Sequence, residues 1–189
     1  MATSFIQIVI VLSFLRTAMG AQQTPPNQVL MALALFLTFF IMSPTFEAAW
    51  DQGVRPYIDG QIDEKEAFKK SLKPLHNFML KFVRDEDLQL FMDVANTQPL
   101  ATRDEVPIKV LIPAFIISEL RRAFEIGFLV FIPFLVIDMV VASVLMSMGM
   151  MMLPPIIIAL PFKIIFFVLV DGWFLIVGSL VQSFGALGT

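Results

Sequence analysis

The strongest constraint on the fold is the separation of charged from apolar residues along the chain. Residues 46–106 hold twelve acidic and eight basic side chains, a net charge of −4. This pattern predicts a water-facing insert within an otherwise apolar, membrane-type chain. Four apolar regions flank or follow the insert: residues 4–15, 27–44, 108–152 and 156–184.

The composition supports a membrane protein and excludes several other classes. Hydrophobic residues make up 58% of the 189 residues, and 20 of them are phenylalanine. Globular chains carry roughly half apolar residues even when glycine is counted. The chain has no cysteine and one histidine, His76, so disulfides and metal sites built from cysteine or several histidines are excluded. A net charge of −3 gives no case for nucleic-acid binding.

The first apolar run, "FIQIVIVLSFL", is too short to cross a bilayer alone. It has 11 residues, whereas a hydrocarbon core of ~30 Å needs ~20. We therefore expect it to be the second half of a longer helix and the chain to begin downstream of the biological start. Arg16 follows this run and predicts a cytoplasmic connection. The insert and the C-terminus would then lie outside the cytoplasm.

These features predict an all-α fold of helical hairpins with a helical soluble insert. The predicted parts are an N-terminal hairpin over 1–45 with a truncated first helix, an extracytoplasmic insert over 46–106, and a kinked C-terminal hairpin over 107–189 with a Met-rich tip. Prolines should break the C-terminal hairpin into shorter pieces because proline removes a helical hydrogen bond. The prolines concerned are Pro113, Pro133, Pro154, Pro155 and Pro161.

The insert carries two helical patterns. In "DEKEAFKKSLKPLHNFMLKFV" the apolar residues recur at helical spacing. Asp63 and Glu66 form a plausible capping pair, and Glu66 and Lys70 are spaced for an ion pair. Pro74 should bend or divide this helix. A second helix is predicted over "DEDLQLFMDVAN", and a loop over "TQPLATRDEVP".

The apolar C-terminal regions contain charges that need partners. From residue 123 onward there are three acids but one base, Lys163. Charges among apolar residues face a bundle interior, a partner or water. Asp138 and Lys163 could therefore form a structural ion pair, pair between subunits, or relay protons. The charges in these regions are Lys109, Glu119, Arg121, Arg122, Glu125, Asp138, Lys163 and Asp171.

A methionine run, "MSMGMMMLPP", occupies residues 146–155. It has two interpretations. Methionine fills irregular gaps, so the run could be a packed turn of a hairpin. A ring of apolar side chains also closes pores by excluding water, so the run could be a constriction. No nucleotide-binding loop, nucleophile elbow or zinc-protease motif is present, and we predict that the protein is not an enzyme.

Several long motifs resemble the family of the flagellar biosynthetic protein FliP. They include "TPPNQVLMALALFLTFFIMSP", "LIPAFIISELRRAFEIGFLVFIPFLVIDMVVASVLM", "GMMMLPP" and "ALPFKIIFFVLVDGW". They are also similar to the SctR-like counterpart in injectisomes, although "TPPNQVL" and "LVDGW" look more flagellar. The resemblance runs over nearly the whole chain. Most members of the family begin with a cleaved signal peptide and a fuller first helix.

The resemblance implies a subunit of the flagellar type III export gate, without a cofactor. Five copies would join FliR-like and FliQ-like subunits in a helical, pore-containing oligomer that works with FlhB-like and FlhA-like components. Unfolded flagellar proteins would pass through it. The implied location is the bacterial inner membrane, within the flagellar basal body, with much of the assembly on the periplasmic side.

Residue by residue, the resemblance implies three sets of functional side chains. A methionine gasket matches Met150, Met151 and Met152, and an inter-subunit salt bridge matches Glu119 with Lys163. The third implied set, Arg84 and Asp138, suggests a second charged contact. Two competing functions remain open. A proton-coupled transporter would use Asp138, Lys163 and Asp171, and a membrane scaffold would have no conduit.

Overall fold

The computed structural model describes residues 2–21, 23–96, 102–150 and 154–185. Every regular element in these ranges is helical, which confirms the predicted all-α class. In chain order the elements are α1 (Phe5–Ala18), α2 (Asn27–Ala49), a π-helical turn (Trp50–Val54), α3 (Arg55–Ile58), α4 (Glu64–Phe82), α5 (Asp85–Val94), a 3₁₀ turn (Arg103–Glu105), α6 (Ile108–Ser147), α7 (Pro155–Leu169) and α8 (Gly172–Gly185).

Packing divides the chain into two compact units. The first comprises Met1–Ile6 and Thr38–Arg122, and the second comprises Gln7–Leu37 and Ala123–Thr189. Helices α1, α2 and α6 therefore contribute residues to both units. The division into 1–45, 46–106 and 107–189 distinguishes water-facing from apolar segments, and it stays a prediction.

Helix α4 of the first unit begins where the capping pattern predicts. Asp63 is the N-cap, and its Oδ1 accepts a hydrogen bond from the backbone N–H of Glu66 at 2.9 Å. Lys70 Nζ lies 2.8 Å from Glu66 Oε1, so the predicted ion pair is also confirmed. The helix continues through Pro74 to Phe82 and is not divided. The predicted second helix corresponds to α5.

The π-helical turn packs closely on α4 through a glycine. Gly53 is buried, and a Cβ atom there would lie 1.9 Å from Ser71 Oγ and 2.7 Å from the carbonyl oxygen of Ala67. A hydroxyl can rotate away, whereas the backbone of a packed helix cannot. Only glycine therefore permits this approach.

We expect Gly53→Ala to destabilise the first unit by about 1–3 kcal/mol, the usual cost of overpacking. The measurement is thermal unfolding in detergent, followed by circular dichroism. Gly178→Ala is the matched control, because a Cβ there meets no atom within 4 Å and alanine favours a helix. Equal melting temperatures for Gly53→Ala and the unsubstituted protein would contradict the close packing.

The core of the second unit joins α1 to the two C-terminal segments. Leu15, Ala18 and Met19 at the end of α1 are buried against Phe134 of α6 and Phe167 of α7. Phe134 meets the Phe167 ring at 6.2 Å between centroids. The cluster therefore holds the end of α1 against the interior of α6 and the last turn of α7. Partly buried residues complete it: Val130, Phe131, Phe166 and Ile176.

The prediction that prolines break the C-terminal hairpin is wrong for three positions. Helix α6 runs for 40 residues through Pro113 and Pro133, and α7 runs through Pro161. A proline removes one hydrogen bond. A true helix break would leave up to four unpaired groups at each new end. In an apolar setting each unpaired group costs several kcal/mol, so a continuous helix is the lower-energy solution.

The last apolar region breaks at a different residue. Helices α7 and α8 meet at an angle of 62°. Asp171 lies between them with φ +50°, a left-handed conformation that few residues other than glycine adopt. The sequence pattern predicted one apolar region to about Phe184. The change of direction arises at "LVDGW", where Gly172 follows Asp171.

Two helical stretches are long and apolar enough to cross a membrane. They are Asn27–Ile58 and Ile108–Ser147, and the bent pair α7–α8 counts as a third if it is treated as one span. Much of their apolar surface stays exposed in the single chain. Such extended apolar surface marks contact with lipid or with other proteins. Examples from α6 to α8 are Phe128, Leu129, Val168, Leu169 and Phe174.

Candidate functional site

Lys163 ties together three helices of the second unit. Its Nζ lies 2.6 Å from Asp138 Oδ2 on α6 and donates a hydrogen bond of 3.0 Å to the backbone carbonyl of Ala18 at the end of α1. The side chain of Lys163 is only 6% exposed, whereas that of Asp138 is 38% exposed. Because the carbonyls at a helix C-terminus lack partners and carry partial negative charge, the ammonium group also caps α1.

Asp138 is not fully satisfied by this contact. Its Oδ1 is buried and has no hydrogen-bond partner among the described residues. A carboxylate oxygen in this position retains the capacity to accept another donor. The structure therefore brings together two of the predicted site residues, Asp138 and Lys163, within one chain.

Glu119 lies in the first unit and is fully buried. Its nearest cation is Arg122, whose Nη1 is 3.6 Å from Glu119 Oε1 one helical turn away. Neither oxygen of the carboxylate has a hydrogen-bond partner in the described part of the chain. The guanidinium group of Arg122 also lies 5.8 Å from the centre of the Phe82 ring. Glu119 is thus a weakly partnered carboxylate in an apolar setting.

Arg84 belongs to a polar network where α5 begins beside α6. Its backbone N–H donates to Ser118 Oγ at 3.1 Å, and its guanidinium group pairs with Glu86. Ser118 Oγ in turn donates to Asp87 Oδ2 at 2.7 Å. Three acids in the first turn of α5 are favoured by the helix dipole. The network therefore fixes the start of α5 against α6.

Ser118, Glu86 and Asp87 were missed by sequence reasoning. The acidic triplet "DED" at the start of a predicted helix was visible as a capping signal. The role of Ser118 was not visible, because its partners lie 31 and 34 residues away.

Helix α6 ends within the methionine run, just before Met150. Gly149 has φ +74°, its N–H bonds to the carbonyl of Met146 at 3.1 Å, and the N–H of Met150 bonds to that of Leu145 at 3.0 Å. These two bonds form a Schellman motif. The side chain of Met150 is exposed at this end. Met151 and Met152 lie outside the described residues.

The inter-subunit pairings implied by the resemblance stay predictions, since the structure is of one chain. In this single chain, Lys163 contacts Asp138. The cation nearest to Glu119 is Arg122, and Arg84 contacts Glu86. Among the residues that the structure describes, no group of three His, Asp or Glu side chains converges as a metal site requires.

Comparison with known proteins identifies the family. The profile described as "FliP family" matches residues 1–180. The chain belongs to the FliP family. Relatives named flagellar biosynthetic protein FliP align with this chain over almost all of its length.

The relative from Caulobacter vibrioides is 61% identical over 184 residues, which cover 97% of this chain and 69% of that protein. The relative from Bacillus subtilis is 58% identical over 182 residues, covering 96% and 82%. The relative from Agrobacterium fabrum is 54% identical over 186 residues, covering 97% and 76%. The resemblance inferred from the motifs is therefore confirmed as FliP family membership.

Proposed function

We propose that this chain is a subunit of the flagellar type III protein export gate, in which its copies form the channel for unfolded flagellar proteins. The observation that carries the proposal is its membership of a family whose relatives are named flagellar biosynthetic proteins. The exposed apolar helices support a membrane location and extensive contact with partners.

The proposed partners are further copies of the chain, five in all, with FliR-like and FliQ-like subunits. FlhB-like and FlhA-like components would contact the same assembly. The proposed cellular location is the bacterial inner membrane, within the flagellar basal body, with much of the gate on the periplasmic side. This orientation suits the charged segment 46–106, which needs water, and the charges along α6 and α7, which need protein partners.

Glu119 and Lys163 are proposed to pair between neighbouring copies. The weak partnering of Glu119 supports this, because a buried carboxylate without hydrogen bonds gains from a cation. Lys163 already contacts Asp138 and Ala18. Assembly would therefore require Lys163 to share or exchange partners. The proposed contact between Arg84 and Asp138 has a similar basis, since Arg84 Nη1 and Asp138 Oδ1 are both buried without hydrogen bonds among the described residues.

The proposed methionine gasket consists of Met150, Met151 and Met152. The Schellman motif at Gly149 supports it by ending α6 immediately before the run. Repeated around an oligomer, the run would project a ring of thioether side chains into the channel. Methionine is unbranched, so such a ring can reshape around polypeptides of varying width.

The size of the purified protein in mild detergent tests the proposed function. We expect a large complex when the chain is produced together with its flagellar membrane partners, and we expect small membrane proteins to co-purify with it. Mass spectrometry of the isolated complex would identify them. A chain that remains monomeric under these conditions would favour the transporter hypothesis instead.

A further inference from the structure

One face of α4 carries a row of lysines. Lys65, Lys69 and Lys73 follow one another at four-residue intervals, and all three are exposed. This spacing places them on the same face of the helix, over a length of ~12 Å. Like charges at this spacing destabilise a helix. The lysine row, as we call these three residues, is therefore unfavourable for the isolated helix.

No ion pair joins the lysine row to a carboxylate in the described part of the chain. In the ranges that the structure describes, no carboxylate lies within 4.0 Å of these three ammonium groups, whereas the neighbouring Lys70 pairs with Glu66 at 2.8 Å. Phe68 lies beside the row and is 67% exposed. A surface that combines unpaired cations with an exposed aromatic ring suits an acidic, partly apolar partner.

Helix α5 presents a surface of the opposite kind. Leu90 and Val94 are 54% and 71% exposed. Glu86 and Asp93 lie on the same helix face at spacings of four and three residues from Leu90, and both are exposed. Asp93 has no ion pair among the described residues. Glu86 keeps a largely exposed carboxylate, although Arg84 contacts it and Arg121 Nη1 lies 4.0 Å from its Oε2. These four residues, the α5 face, also extend over ~12 Å.

We propose that the lysine row of one copy docks on the α5 face of the next copy. The two surfaces are equal in length and opposite in charge, and both carry exposed apolar side chains. Because they are different surfaces of the same unit, the contact is head-to-tail and propagates into a ring or a helix. The inference rests on the proposed oligomer and adds the surfaces through which the extracytoplasmic segments meet.

An anionic lipid surface is the main competing partner. Anionic headgroups would attract the lysine row, because the negative potential of such a membrane surface stabilises each basic residue near it. They would not need the α5 face. The two partners therefore predict different results when both surfaces are reversed in charge.

The test compares three variants of the full chain, produced with the partner subunits. The row variant is Lys65→Glu, Lys69→Glu and Lys73→Glu, the face variant is Leu90→Lys and Asp93→Lys, and the third combines both sets. We expect the row and face variants each to lose assembly by about tenfold or more on native gels, because like charges would be juxtaposed. The combined variant should recover most of the assembly.

A control separates charge pairing from a change in net charge. The matched comparison is Lys65→Glu with Lys69→Glu against Arg55→Glu with Lys109→Glu, because both double variants change the net charge by the same amount. Arg55 and Lys109 are exposed and lie outside α4, so the second double variant should assemble normally. Circular dichroism checks that each variant is helical. A tagged row variant should also capture an untagged face variant better than an untagged row variant.

Two outcomes would overturn the proposed contact. One is a row variant that assembles as well as the control and instead loses binding to phosphatidylglycerol vesicles, which would assign the row to lipid. The other is a combined variant that recovers nothing. An unsubstituted chain that fails to oligomerise would overturn the proposed gate as well, so the two failures are distinguishable.

Discussion

Replacing Met150, Met151 and Met152 together with alanine should leave the complex assembled and allow small solutes to leak through it. An apolar constriction blocks ions because water is excluded from it. Alanine removes the long thioether side chain, so the closed path widens. Gly149 and its Schellman bonds are unchanged, and the end of α6 should therefore keep its geometry.

The leak is measured as ion conductance or solute entry in cells that produce the triple variant, with assembly checked on native gels. Met146→Ala with Met148→Ala is the matched control, because both side chains are exposed but precede the turn at Gly149. It should not leak. A fully assembled triple variant with no added leak would contradict the gasket and would indicate that the methionine run packs within the hairpin.

Lys163→Ala should reduce both assembly and motility. Removing one partner of a buried ion pair typically costs ~3–5 kcal/mol. We expect about 3 kcal/mol here, the lower end of that range, because Asp138 is 38% exposed and water can solvate it. The substitution also removes the donor to the Ala18 carbonyl, so the end of α1 should lose its hydrogen bond to α7 and keep only its apolar packing there.

Two charge swaps separate the possible partners of Lys163. If the pair within one chain dominates, Lys163→Asp with Asp138→Lys should restore stability. If the pair between copies dominates, Lys163→Glu with Glu119→Lys should restore assembly. Lys109→Ala, at an exposed lysine of α6, is the control and should change neither readout. Normal assembly and motility of Lys163→Ala would show that the pair of Lys163 with Glu119 does not join the subunits.

The α4 region illustrates what local sequence signals determine. The N-cap at Asp63 and the pair of Glu66 with Lys70 were both predicted, and both involve residues three or four positions apart. Such interactions depend on the geometry of one helical turn, which does not vary with the surrounding fold. The helical class follows for the same reason, because the apolar periodicity is itself local.

Long motifs in the sequence are sufficient by themselves to indicate the family. Their order and spacing extend over nearly the whole chain, and the family match over residues 1–180 agrees with them. The methionine gasket, the inter-subunit salt bridge and the second charged contact came from this resemblance. Composition and spacing did not decide whether the methionine run is a packed turn or a constriction. They also did not decide whether Asp138 and Lys163 form a structural pair, pair between subunits or relay protons.

The tertiary structure decided how the prolines and the charges are accommodated. The sequence predicted helix breaks at Pro113, Pro133 and Pro161, but the apolar surroundings favour continuous helices and place the bend at Asp171 instead. Lys163 contacts groups 25 and 145 residues away, on α6 and α1. A sequence shows that a buried charge needs a partner, but only the packing of distant helices selects which oppositely charged group comes within hydrogen-bonding distance.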